Sequence, residues 1–338
     1  MGDKRAKVSS SKRAPIRTFL LGLSGFAAAF LTYAYQAQPD DLAGLTIVPA
    51  CIWIIPGILS ILWFSGRGRK MLAFTVFALW ALFTTTSVEE VWSLARRDKF
   101  PTSTWQAARN EGKTIRIASL DCVDSQTQAA AEVKTLDPKP DIILLQKSPS
   151  QEELQKLATE LFGGEGAVMW STDTSIIVHG KVTPKTTDPN SLFVHGTVDL
   201  STGKQIEVID VCLLPAVIRY DFWSRDFWRA HRDARRERRK QIDSIIKEMN
   251  TVPATTPLVV GGNFNCAVED GSLLPLRVGL REAFRTSGRG NCNTITNRYP
   301  VERVDQIWVT DTLQPEWFAA TKTSSSNHRL VVSDFSIR

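Results

Sequence analysis

Near its C-terminus the chain reads Ser326-Asn327-His328-Arg329, and further polar residues are set at the ends of short apolar runs upstream. Asp121 closes Ile115-Arg116-Ile117-Ala118-Ser119-Leu120, and Lys147 follows Ile142-Ile143-Leu144-Leu145-Gln146. Asn263 and Asn265 follow Val259-Val260-Gly261-Gly262, Asp305 sits in Arg303-Val304-Asp305-Gln306-Ile307, and Cys212 in Val211-Cys212-Leu213-Leu214-Pro215. Brought together, an imidazole, an ammonium and carboxamides can donate hydrogen bonds to a phosphate or sulfate without a metal. A hard cation such as Mg²⁺ would instead require carboxylate oxygens. An ammonium about 4 Å from a divalent ion would repel it by several kcal/mol even at an effective dielectric near 20.

The runs that carry these residues read as buried strands, being short, β-branched and bounded by Gly, Pro, Asp or Asn. They fall at residues 115–120, 142–145, 175–178, 206–214, 257–261, 304–309 and 329–335. Helical patterns cover residues 128–134, 151–161, 227–249 and 275–284. Strands alternating with occasional helices predict an α/β fold of two facing sheets with helices outside. No internal repeat or low-complexity tract interrupts the pattern.

In order and spacing these strings resemble the endonuclease/exonuclease/phosphatase family over residues 113 to 338. In that family the first string ends in Asn, the second in a metal-binding Glu, the third reads Gly-Asp-Phe-Asn, the fourth Arg-x-Asp and the last Ser-Asp-His. The resemblance implies a four-layer α/β sandwich, two packed mixed sheets with outer helices. It also implies metal-assisted phosphoester chemistry, in which Asp305 orients His328 beside Asn265. Lys147, Asn263 and Asn327 stand where the family has acids, and Cys212 where many members have His. Asp121, in place of Asn, is the one change that adds a potential metal ligand. The expectation is therefore a degenerate metal site with no cofactor. In it Lys147, Asn263, Asn327 and Cys212, with His328, face a phosphorylated small molecule or partner, and the domain acts as a binding or regulatory module. The alternative is an active hydrolase using Mg²⁺ or Mn²⁺ on an altered set, Asp121, Asn265, Asp305 and His328. Two plainer arrangements stay open: a His328–Asp305 hydrogen bond with no ligand, and a Lys147–Asp121 salt bridge that closes the site.

Ahead of this domain, residues 18–35, 42–64 and 71–86 are uncharged apolar runs near the length a helix needs to cross a bilayer. They predict a membrane region over residues 1–92 with three spans, a linker at 93–112 and the domain at 113–338. Lys4, Arg5, Lys7, Lys12, Arg13 and Arg17 precede the first run, and Arg67, Arg69 and Lys70 precede the third. By the positive-inside rule three spans place the domain outside a bacterial inner or plasma membrane, although Arg96, Arg97 and Lys99 pull the other way. The net charge of +6 owes much to these basic segments and says little about nucleic acid. Five cysteines at irregular spacing make no disulfide framework, and Cys122, Cys212 and Cys266 lie close enough to the site strings to form a soft-metal cluster. Finally, Arg225, Arg229, Arg232, Arg236 and Arg239, within Arg225–Lys240, fall on one helical face. That face suits an anionic lipid, a nucleic acid or another polyanion, or is a solvated surface laced with its own acids.

Overall fold

A computed structural model of the chain describes residues 3–64, 68–96, 103–185, 192–217 and 219–338. Arg67, Arg97 and Lys99, used above for orientation, lie outside the described residues. The chain divides into two units, Met1–Trp92 and Ser93–Arg338.

The first unit contains α1 (Asp3–Ala37), α2 (Ile54–Phe64) and α3 (Lys70–Ser87), and α4 (Glu89–Ala95) follows. Two segments, Pro15–Ala37 and Lys70–Ser87, are long and apolar enough to cross a membrane. The run at 42–64 is not the single span expected. It breaks into 3-10 turns at Asp40–Leu45 and Ala50–Trp53 before α2 begins. Pro49, extended at φ −53° and ψ 133°, separates the two turns, and proline also steers the residue before it away from helix. Together the Ala50–Trp53 turn and α2 reach only about 24 Å, short of a hydrocarbon core of about 30 Å. Inside this unit the contacts are small and hydroxylic: Trp80 Nε1 donates to Ser24 Oγ at 3.0 Å, and Gly57 abuts the Trp80 ring. Phe19, Phe26, Leu62, Trp63 and Phe74 are exposed, the inverse of a water-soluble bundle.

The second unit runs α5 (Ser103–Asn110), β1 (Thr114–Asp121), α6 (Thr127–Ala131), β2 (Ile142–Gln146), α7 (Gln151–Phe162), β3 (Gly166–Trp170), β4 (Thr174–Pro184), β5 (Phe193–Leu200), β6 (Gln205–Cys212), α8 (Arg225–Met249), β7 (Leu258–Asn263), β8 (Arg281–Glu282), α9 (Ala283–Ser287), β9 (Asp305–Val309), β10 (Leu313–Thr321) and β11 (Leu330–Ile337). Side chains alternate across each strand. Ile115, Ile117, Ile142, Leu144, Ile176, Val208, Val259 and Ile307 all enter one core between the sheets. The opposite faces bury Leu120, Ile143 and Ile177 under α7, and Ile209 and Val260 under α8. Helix, sheet, sheet, helix is the expected four-layer α/β sandwich. One refinement concerns connectivity, since the two sheets are halves of a single sheet in the order β10-β11-β1-β2-β4-β5-β6-β7-β9-β8. Residues Thr174–Val178 of β4 pair with β2, whereas Gly180–Pro184 pair with β5. Gly180 makes the corner at φ +141°, where a Cβ would meet Asp199 O at 2.2 Å.

The sequence reading missed β3, β5, β8 and β10. β10 is an edge strand with a bulge between Pro315 and Trp317, and an edge is where proline is tolerated. α7 begins with a capping box, Ser150 accepting from Glu153 N–H while the Glu153 side chain reaches back. At the strand ends opposite the site, Arg116 makes two bonds to Asp334, Nε to Oδ1 at 2.7 Å and Nη2 to Oδ2 at 2.8 Å, with both side chains buried. Trp105 of α5 and Trp317 sandwich the guanidinium, which fastens α5 to β1.

Asp334→Ala leaves that guanidinium buried and unpaired, so it is expected to cost about 3–5 kcal/mol. Pulse proteolysis of the full chain in urea reads this as a lower midpoint. Lys156→Ala, which breaks an exposed i,i+4 pair with Glu152, should move the midpoint by less than about 0.5 kcal/mol.

Candidate functional site

The inter-sheet core changes character at the C-terminal ends of the central strands. Inward positions that hold Ile, Leu and Val lower down become Ser119 and Asp121 on β1, Gln146 on β2, Asp210 and Cys212 on β6, Asn263 on β7 and Asp305 on β9, all buried. Registers Cys212↔Asn263 and Asn263↔Asp305 set three of these side by side. The sequence-predicted residues Asp121, Lys147, Cys212, Asn263, Asp305 and His328 therefore meet at one edge of the sandwich.

Asp121 is the centre. Its Oδ2 lies 3.0 Å from Lys147 Nζ and accepts from Asn263 Nδ2 at 2.7 Å, and its Oδ1 accepts from Val123 N–H at 2.9 Å. Lys147 reaches it from the residue after β2 in a left-handed conformation, φ +45°, with its N–H on Asp173 O at 2.7 Å. Burial pulls the Lys147 ammonium down, but the charge of Asp121 and the bond to it outweigh this and hold its pKa above the ordinary lysine range. Its side chain keeps 36% exposure, while Asp121 has none.

His328 Nδ1 lies 2.7 Å from Asp305 Oδ2, the arrangement the resemblance implied. Burial depresses the imidazolium, yet Asp305, by charge and hydrogen bond, wins and raises the His328 pKa above the ordinary imidazole range. Ser326 Oγ accepts from His328 N–H at 3.0 Å and donates to Asp121 O at 2.7 Å, so the 326–328 turn is pinned to β1. Thr294 Oγ1 receives the Asp305 and Val304 N–H groups, each at 3.2 Å.

The remaining sequence-predicted residues are placed as follows. Asn263 is fully buried with both ends engaged, Nδ2 on Asp121 and Oδ1 accepting Asn265 N–H at 2.8 Å. Asn265 Nδ2 donates to Leu213 O at 2.6 Å. These carboxamides hold the turn after β7 rather than line a pocket, because an αL residue such as Asn265, φ +51°, needs its loop tied locally. Asn327 turns its side chain to solvent, and its backbone O accepts from Asn297 N–H. Asp121, the potential metal ligand, has its oxygens committed to protein donors. Cys212 is a buried neutral thiol, pushed up to about 12 by burial and then by Asp121. Cys122 and Cys266 sit in separate cores under α7 and α8, and among the described residues no group of three or more His, Cys, Asp or Glu is arranged so that it could hold a metal ion. A lysine nitrogen lies 3.0 Å from Asp121 Oδ2, where a hard cation would need that oxygen, whereas Asp305 Oδ1 is buried with no hydrogen-bond partner.

Sequence reasoning also missed Asp210 and Gln146. Asp210 Oδ1 accepts from Gln146 Nε2 at 2.6 Å and Oδ2 from Ser175 N–H at 3.1 Å, with no cation against it. Burial pushes its pKa well above the carboxylate range, against the hydrogen bonds from Gln146 and the Ser175 and Val211 N–H groups. The available signal was an acid at an inward position of the β-branched run Val208-Ile209-Asp210-Val211. On α8, buried Arg235 and Arg238 flank Asp270, whose Oδ1 takes Ser272 N–H and Oγ–H, and Arg238 Nη2 donates to Asn265 O at 3.2 Å. That network fixes the turn bearing Asn263 and Asn265 to the helix.

Neither a family model nor a curated protein sequence matches the chain. Among solved structures, it is similar to a humanised zebrafish TDP2, with 15% identity and TM-score 0.49, over 66% of this chain and 99% of that one. A truncated Caenorhabditis elegans TDP2 gives 16% identity and TM-score 0.49, over 67% and 98%. An endonuclease/exonuclease/phosphatase from Bacteroides vulgatus gives 15% identity and TM-score 0.48, over 67% and 99%.

Asp305→Asn removes the charge that raises His328, and ¹H–¹⁵N correlation spectra of the imidazole should show its titration shifting to lower pH. Because the folded pKa of His328 is the raised one, its contribution to stability is complete below the unfolded value of about 6.5. That contribution fades as pH rises through the folded value, and in Asp305→Asn this loss on the alkaline side should disappear.

Proposed function

We propose that the C-terminal unit is a metal-free binding module for a phosphorylated ligand rather than a metal-dependent hydrolase. The observation that carries this reading is the ion pair between Lys147 and Asp121, which forms as the sequence allowed yet leaves the lysine side chain 36% exposed. Carboxylates Asp121 and Asp305 lie at the back, fully buried, and each holds a cation in front of it, Lys147 and His328. Lys147 and His328 also feel each other's field, as like charges in one cleft do. An entering phosphate therefore meets an ammonium and an imidazolium, each already braced by its own counter-charge, and charge-assisted donors are the strong ones. The second reading, hydrolysis by an altered set, draws on the His328–Asp305 pair, which has the geometry of an oriented acid–base imidazole.

For the membrane unit we propose two crossings, Pro15–Ala37 and Lys70–Ser87, with the C-terminal unit on the same side as the basic N-terminus. Flanking charge divides equally between two and three crossings, since either choice leaves one group of three bases outside. Helix length decides, because the middle segment is too short. The free thiols of Cys122, Cys212, Cys266 and Cys292 agree with a reducing compartment. Epitope tags at the two ends should be digested together, or protected together, in sealed vesicles; digestion of one alone would overturn this topology.

Calorimetric titration of the full chain in detergent tests the site. Inorganic phosphate should bind with no metal present, and Lys147→Glu should weaken it at least about tenfold, or about 1.4 kcal/mol. The same variant sets two carboxylates together and should acquire Mg²⁺ binding that the native chain lacks. Mg²⁺- or Mn²⁺-dependent cleavage of a generic phosphodiester by the native chain, abolished by His328→Ala, would establish the second reading instead.

A further inference from the structure

α8 is a helix with two unlike faces. At about 100° per residue, Arg225, Arg229, Arg232, Arg236 and Arg239 fall within an arc of about 80° and run about 21 Å along the axis. The buried side chains Phe227, His231, Arg235, Arg238, Ile242 and Ile245 centre about 120° away from that arc. The sequence-predicted stripe is therefore the outward one, with Arg225, Arg229 and Arg236 exposed and Arg232 and Arg239 half-buried. The helix's acids avoid it. Asp226, Asp233 and Glu237 gather on one flank, and Asp243 falls on the arc only beyond its last arginine. Surface pairs do cross from flank to stripe, Arg229 with Asp226 at 3.2 Å and Arg232 with Asp233 at 3.1 Å, but exposed pairs of this kind are worth little and exchange readily for other anions.

Exposed apolar and aromatic groups adjoin the stripe. Trp223, immediately before the Ser224 N-cap, is 87% exposed, and Tyr220 is exposed close by. The 3-10 helix Gly271–Val278 packs against α8 and leaves Val278 91% exposed and Leu274 exposed. A duplex nucleic acid would be met by the arginines alone and offers nothing to Val278 or Leu274. A bilayer surface offers both partners at once, anionic head groups for the arginines and the interfacial zone for Trp, Tyr and aliphatic side chains. The same chain carries two helices apolar enough to cross such a bilayer.

We infer that the outer face of α8, with Tyr220, Trp223 and Val278 beside it, is a docking surface for an anionic lipid bilayer. It acts independently of the Lys147 site. Each arginine adds about a fivefold preference for an anionic over a neutral surface, screened as ionic strength rises.

Hydrogen–deuterium exchange of the full chain in nanodiscs tests this. In discs of phosphatidylcholine with phosphatidylserine, amides of residues 219–230 should exchange at least about threefold more slowly than in phosphatidylcholine alone. The difference should collapse at high salt, vanish in the triple variant Arg225→Glu, Arg229→Glu, Arg236→Glu, and shrink in Trp223→Ser. All four side chains are exposed, so unchanged exchange in the strands is expected and serves as the control for folding. Equal exchange in the two lipids would overturn the inference. So would protection that appears only on adding a duplex oligonucleotide to phosphatidylcholine discs, which would make the stripe a nucleic-acid surface.

Discussion

A buried carboxylate must be compensated, and how Asp121 is compensated decides what the strand ends of this sandwich can do. With no exposure at all, it would cost several kcal/mol as an unpaired ion. Lys147, the Asn263 amide and the Val123 N–H supply that compensation from three different loops. The residues are mutually conditional. An aspartate at 263 could not donate to Asp121 and would face it with like charge, and a glutamate at 147 would add another negative group. Asn263 and Lys147 are thus one solution to one electrostatic problem, and they take up the oxygens of Asp121, while Asp305 Oδ1 and Gln146 Oε1 are buried with no hydrogen-bond partner.

The neighbouring acids are settled by other means. Asp305 holds an imidazole, and Asp210 has neutral donors against it while burial pushes its pKa up. Three carboxyl groups near one another are thereby set against an ammonium, an imidazole and neutral amide donors. In each pair the nitrogen-bearing side chain is the more exposed, Lys147 at 36% and His328 at 3%, against none for Asp121 and Asp305. What distinguishes the cleft is the order of the charges in depth rather than their sum, which is why net charge along the chain could not reveal it.

Much of this was legible because burial writes itself into strand sequences. The runs of β1, β2, β6, β7, β9 and β11 are β-branched and face cores on both sides, and their polar terminators named Asp121, Lys147, Asn263, Asp305 and His328. β3, β5 and β10 were not legible, since an edge strand such as Leu313–Thr321 carries proline, glutamate and a bulge, and needs apolar residues on one face alone. Orientation was the harder loss. Residue type marks Asn265 and Asn327 as candidate donors, but whether a carboxamide points at a ligand or at its own loop depends on a positive φ and on partners distant in sequence. The span at 42–64 failed for a related reason: hydropathy is blind to Pro49, whose backbone geometry divides an apolar run that composition alone reads as continuous.

α8 shows how one helix can serve stability on one face and forgo it on another. Its inner arginines, Arg235 and Arg238, are held by Asp270 and in turn hold the Asn265 turn. Burial of those guanidinium groups is compensated by a carboxylate whose own pKa they depress against the upward push of burial. The outer arginines meet carboxylates at the surface instead, as in Arg229 with Asp226 and Arg232 with Asp233. Neighbours 225 and 229, 229 and 232, 232 and 236, and 236 and 239 are like charges at i,i+3 or i,i+4, together unfavourable by roughly 1–2 kcal/mol in an isolated helix. Interleaving the acids along the stripe would have reversed that sign at no cost to the core, yet they are grouped on a flank. A helix that forgoes this stabilisation while exposing a tryptophan at its start is shaped by something outside the fold, and a surface of fixed negative charge with an apolar layer beneath is the environment in which both features become favourable.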